Sequence, residues 1–174
     1  GHLAAMAGTK IVELVKNDIR PSTIMTRAAF ENAIKIHAAI GGSTNVALHL
    51  PEVARELGIE ITLDDFGRLS KGIPLLTSVL TAGTWPTQFF WYAGGIPRIM
   101  LELKDVLNLD LPTVTGKTIR ENLADLERSG YFRRSEEYLG NYQMKPSDII
   151  KSADHPISND SGISILKGNL APGG

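Results

Sequence analysis

The stretch Gly41-Gly42-Ser43-Thr44-Asn45-Val46-Ala47-Leu48-His49 constrains this chain more than any other. Helix-like runs flank it, Ala28 to Ile40 before it and a second run continuing to Leu57 after it. Two adjacent glycines reach the left-handed backbone that ends a helix, and Ser43, Thr44 and Asn45 all suit the N-cap of the next one. A tight helix-to-helix corner is therefore expected. Such a corner gathers backbone N–H groups, short hydroxyl and amide side chains and the positive end of a helix dipole, a combination that suits a carboxylate or phosphate. Stopping one helix and starting another accounts for the same residues.

The 174 residues, 43% of them hydrophobic, suffice for one domain with a real core. With 18 basic against 19 acidic residues, the charge is too balanced to point to nucleic acid or an acidic partner. No apolar run approaches the roughly 20 residues that span a bilayer, and the opening has no basic-then-apolar leader pattern. A soluble, cytoplasmic protein is the expectation. The absence of cysteine removes disulfides, thiolate nucleophiles and cysteine-ligated clusters from this chain's own chemistry.

Along the chain, Leu3, Met6, Ile11, Leu14 and Val15 form a rough helical stripe that Pro21 and Ser22 break. Thr26 caps a helix whose Phe30, Ala33, Ile34 and His37 share a face, with His37 read as a packed or half-exposed residue rather than a ligand. Pro51 should kink the helix 43–57 just after His49, or restart it. Thr62 opens another helix with Asp64 and Asp65 in its first turn. Asp65-Phe66-Gly67 matches a kinase metal motif, but the helical context is wrong for one and no His-Arg-Asp loop is present. Ile73 to Leu80, apolar and short, reads as a buried strand.

Residues 84–92 hold five of the eleven aromatics and read as core, although aromatic faces also stack on sugar C–H groups. A helix is expected from Ile96 to Leu107. Gly116-Lys117-Thr118 resembles the end of a phosphate loop, but the glycine required five positions earlier is Leu111. A short strand and a turn capping a helix from Thr118 to Arg128 fit better. Residues 129–160 read as a polar connector, and Gly162 to Leu170 as the first strand of something new. These local readings give a helix-rich α/β chain with one anion corner.

Six pieces in order resemble a known family: Asn32-Ala33; Gly41-Gly42-Ser43-Thr44-Asn45 with His49; Leu63-Asp64-Asp65-Phe66; Ala93-Gly94-Gly95-x-Pro97; Val114-Thr115-Gly116-Lys117-Thr118 with Glu121-Asn122; and Leu166-x-Gly168-Asn169-Leu170-Ala171-Pro172. Together they are similar to the dihydroxy-acid and phosphogluconate dehydratases. The resemblance implies a hydro-lyase that converts a 2,3-dihydroxy acid to a 2-keto acid, using an iron–sulfur cluster and Mg²⁺ in the full-length enzyme. It also implies a homodimer or higher homo-oligomer.

Against that pattern the chain reads as a middle segment with both ends cut, Gly1-His2 as a cloning remnant, and no catalytic or metal-binding group of its own. Residues 1–128 would be the second half of the N-terminal α/β domain, 129–160 the connector and 161–174 the opening strand of a C-terminal β-barrel domain. The piece alone would hold no cofactor and be inactive. Ser43, Thr44 and Asn45, with Thr115 and Lys117 as weaker candidates, are expected to face the substrate. Phe89-Phe90-Trp91-Tyr92 resembles the sugar-acid branch, which makes an aldonate the expected substrate and a branched-chain dihydroxy acid the alternative. A non-catalytic helical binding module remains open as a different class.

Overall fold

A computed structural model describes residues 1–80 and 83–174. Its helices in order are α1 (His2–Lys16), α2 (Pro21–Ile24), α3 (Arg27–Ile40), α4 (Val46–Glu56), α5 (Leu63–Ser70), α6 (Thr87–Tyr92), α7 (Gly95–Glu102), α8 (Ile119–Arg128), α9 (Tyr131–Gly140) and α10 (Pro146–Ile149).

Helix α3 is the centre of the molecule. Thr26 caps it, its side-chain oxygen accepting from the Ala29 N–H, and Gly41 ends it in the left-handed conformation. Its apolar residues face two ways. Phe30 and Ile34 pack with Ala54 of α4 and Phe66 and Leu69 of α5. Ile36, Ala38 and Ala39 instead join a larger core with Leu76, Ile99, Leu103, Leu123, Leu139 and Ile149. A helix buried on both faces carries few charges there, and its two buried polar residues are both used. Asn32 donates to the Asn108 carbonyl at 2.8 Å and accepts from the Asn108 N–H at 2.9 Å. His37 is buried and meets Phe66 edge-on.

Local chemistry sets several of the remaining elements. Thr62 and Asp65 form a capping box for α5, and Thr118 and Glu121 form one for α8, as the expected start at Thr118 requires. Gly94, at φ 104°, separates α6 from α7, a backbone angle that side chains other than glycine rarely adopt. Arg27 ties α3 to α5 by pairing with Asp65, whose other partner is Arg68.

Several local expectations are corrected. Pro51 neither breaks nor restarts α4, which runs through it from Val46 rather than from Ser43. The strands expected at Ile73–Leu80 and Gly162–Leu170 do not form ladders. Instead, Leu75, Thr77 and Val79 make isolated bridges to Ser158, Ile150 and Trp85. Among the described residues the β structure of this helix-rich chain amounts to such bridges. Residues 129–160 carry α9 and α10, and α9 packs against α6 and α8. Finally, α7 stops at Glu102, five residues short of Leu107, and turns follow.

Helix α1 contributes nothing buried, and Leu3 and Val15 are exposed. No described helix is long and apolar enough to cross a membrane.

Candidate functional site

The corner forms where α3 ends. The Gly41 and Gly42 N–H groups donate back to the carbonyls of Ala38 and His37. Two distant segments take up further carbonyls there: the Leu76 N–H donates to Ala39 at 2.8 Å and the Gly162 N–H to Ala38 at 2.9 Å. The negative end of α3 is thus largely covered by its own chain.

His37 fixes the other side. Its Nε2–H donates to the Ser43 carbonyl at 2.9 Å, holding the chain as it turns toward α4. The ring lies so close over Gly42 that a Cβ there would sit 2.3 Å from His37 Cδ2, which only glycine permits. Gly162 is confined in the same way, since a Cβ on it would stand 2.4 Å from Gly41 Cα. Backbone packs directly on backbone at the corner.

Beyond Gly42 the pattern reverses and donors are left over. The N–H groups of Val46, Ala47 and Leu48 bond to the carbonyls three residues back, tightening the first turn of α4. The Asn45 N–H donates to Ser43 Oγ, and Asn45 makes no side-chain cap. Among the described residues the N–H groups of Ser43 and Thr44 have no intramolecular acceptor. Two free amides, two short hydroxyls and the positive end of α4 therefore face outward together.

These residues line a cleft of about 450 Å³ with Ile40, Gly41, Gly42, Val79, Leu80, Thr87 and Phe90. An adjoining hollow of about 200 Å³ shares Ile40, Gly41 and Val79 and reaches Thr77, Ser78 and Gly162. The opposite wall is held in place by the segment around Ser78. The Thr84 and Trp85 N–H groups donate to the Ser78 carbonyl, and the Leu80 N–H donates to the Trp85 carbonyl at 2.8 Å. Thr77 is buried and donates to the Ile149 carbonyl at 2.7 Å.

Of the residues expected at the site, Ser43 and Thr44 line the cleft, while Asn45, next in the chain, does not. Thr115 and Lys117 occupy a different place, the turn before α8. Thr115 Oγ donates to Asn122 Oδ1 at 2.9 Å, Asn122 Nδ2 donates to Thr113 Oγ at 2.7 Å, and Lys117 pairs with Asp125. The hydrogen bond from Lys117 keeps the Asp125 carboxyl below the usual aspartate range. Val79, Leu80, Thr87 and Phe90 were not expected at the site. Nothing in their local pattern separates a cleft wall from ordinary core, because the wall exists only once α6 meets the end of α3.

Residues 1–122 match the family described as dihydroxy-acid/6-phosphogluconate dehydratase N-terminal. The chain belongs to this dehydratase family. It is 47% identical, over 99% of its length, to a protein named dihydroxy-acid dehydratase from Ruminiclostridium cellulolyticum. Proteins of the same name from Acetivibrio thermocellus and Methanothermobacter thermautotrophicus are 46% and 38% identical over the same share. The chain spans 29% of the length of these curated relatives.

The iron–sulfur cluster and magnesium ion implied by family membership do not fit the groups present. There is no cysteine, and among the described residues no three of His, Asp or Glu gather as ligands.

Proposed function

We propose that this dehydratase-family chain is a segment of a hydro-lyase that removes water from a 2,3-dihydroxy acid, and that its corner binds the acid. The observation that carries the reading is that Ser43 and Thr44 line the cleft and that, among the described residues, their N–H groups have no intramolecular acceptor. A substrate carboxylate or hydroxyl accepts hydrogen bonds from these groups, and the α4 dipole favours the negative end there. The corner is prepared in advance: His37, Gly42 and Gly162 fix its backbone, so little ordering accompanies binding. Its task is to position the acid. Asn45 supports the turn through its amide, and Thr115 with Lys117 is a lesser, separate contact within the same proposal. The proposal includes the division into 1–128, 129–160 and 161–174, with the last segment opening a β-barrel domain. Exposed Leu166 and Leu170 favour that last point, since a packed sheet would cover them.

Two observations favour a branched-chain dihydroxy acid. The curated relatives carry the name dihydroxy-acid dehydratase, and most of the aromatic block is engaged in packing. Phe89 meets Trp85, Tyr92 and Tyr142 edge-on, while Trp91 and Tyr92 lie against Tyr138. The aldonate reading rests on the resemblance of the block Phe89-Phe90-Trp91-Tyr92 to the sugar-acid branch, and of that block Phe90 alone lines the cleft. The test is a segment exchange. Residues 1–174 replace the matching stretch of the Ruminiclostridium cellulolyticum dehydratase, and 2-keto acid formation is followed with each acid. Turnover supports the reading, and a folded, cofactor-loaded chimera without turnover of either acid rejects it.

A further inference from the structure

The cleft has two unlike sides. Ser43 and Thr44 supply amides and hydroxyls on one, while among the described residues Ile40, Val79, Leu80 and Phe90 make the other largely apolar, with Thr87 as their one hydroxyl neighbour. Phe90 is half-buried and packs against the larger core, so its position is fixed from behind. It is also the only member of the 89–92 aromatic block that lines the cleft.

From this geometry we infer that Phe90 is the specificity-determining residue for the acid's tail, selecting a short methyl-bearing tail over a chain of hydroxyls. The inference rests on the reading of the corner as the site for the acid's polar end. With that end held at Ser43 and Thr44, the remainder of a small acid lies along the apolar wall. Methyl groups lose water there at no cost, whereas a row of hydroxyls loses its water partners and, among the described residues of that wall, finds only Thr87 in exchange. Leu80, more than half exposed, extends the same wall without supporting the core.

The experiment is an NMR titration of the ¹⁵N-labelled chain with 2,3-dihydroxy-3-methylbutanoate and, separately, with a five-carbon aldonate. The methyl-bearing acid is expected to shift the Ser43 and Thr44 amides and to bind roughly 10-fold more tightly, the lower end for apolar-pocket discrimination. Phe90→Ser should bring the two affinities together while the corner amides still shift, and Phe90→Leu should retain the preference. If Phe90→Ser unfolds the chain, Leu80→Asn tests the same wall from its exposed side and should narrow the preference. Equal affinities in the unaltered chain, or a preference that survives Phe90→Ser or Leu80→Asn with the corner shifts intact, would overturn the assignment of Phe90 alone. Absence of any shift at Ser43 and Thr44 with either acid would overturn the corner reading and this assignment with it.

Discussion

The imidazole of His37 reaches across the end of its own helix to the carbonyl of Ser43, 2.9 Å away, and covers Gly42 as it does so. One side chain thereby fixes where α3 stops and where the two free amides of the corner point. Replacing His37 by alanine removes a buried ring and its hydrogen bond, and should cost about 2–3 kcal/mol of stability. Urea unfolding monitored by circular dichroism measures this.

Gly42→Ala tests the same contact from the other side. The added methyl would stand 2.3 Å from the His37 ring, so the ring must leave Ser43 or the backbone must move. A loss of about 1–3 kcal/mol is expected. The double variant Gly42→Ala with His37→Ala should lose less than the sum of the two, because the clash disappears with the ring.

Asn32 is nearly inaccessible and satisfies both the N–H and the carbonyl of Asn108. Asn32→Leu keeps the volume but leaves both backbone groups without a partner, which should cost about 2–3 kcal/mol. Asn32→Asp keeps an acceptor for the Asn108 N–H but sets a second carboxylate oxygen against the Asn108 carbonyl, and should cost at least as much.

Acid sensitivity should centre on Asp65. Burial pushes its carboxyl up, but the hydrogen bonds from Arg68 and the Thr62 N–H, together with the charges of Arg27 and Arg68, outweigh this and hold it below its ordinary value. A lowered value in the folded state means stability that is present above the ordinary 3.8 and is lost as pH falls through the lower folded value. Asp65→Asn should therefore be less stable than the unaltered chain at neutral pH, with the gap closing under acid conditions. Thermal unfolding followed from neutrality down to about pH 2 checks both parts.

What could be read in advance follows from the range of the interactions. The Gly41-Gly42 stop and the Thr26, Thr62 and Thr118 caps all depend on neighbours within a few residues, and the residue types announce them. Helix α9 was hidden because only Ser135 and Leu139 are buried along it, one turn apart among charges, too narrow a stripe to stand out. Ile73–Leu80 is apolar and extended as a strand would be, yet its partners at Ile150 and Ser158 lie more than seventy positions away, so no ladder could be inferred or excluded locally. The candidate site divides along the same line. Its polar half sits in one continuous stretch and was legible, while its apolar wall is assembled from residues of the Ser78 segment and α6 and was not.

On the proposed function, Ser43 and Thr44 hold the substrate rather than merely turn the chain. Steady-state kinetics of the segment-exchange dehydratase with Ser43→Ala and Thr44→Ala together tests this. Losing two hydroxyl contacts to a bound acid predicts a kcat/KM lower by about 10-fold or more, chiefly through KM, with stability little changed. Unchanged kcat and KM would contradict the account and leave the corner as a helix junction.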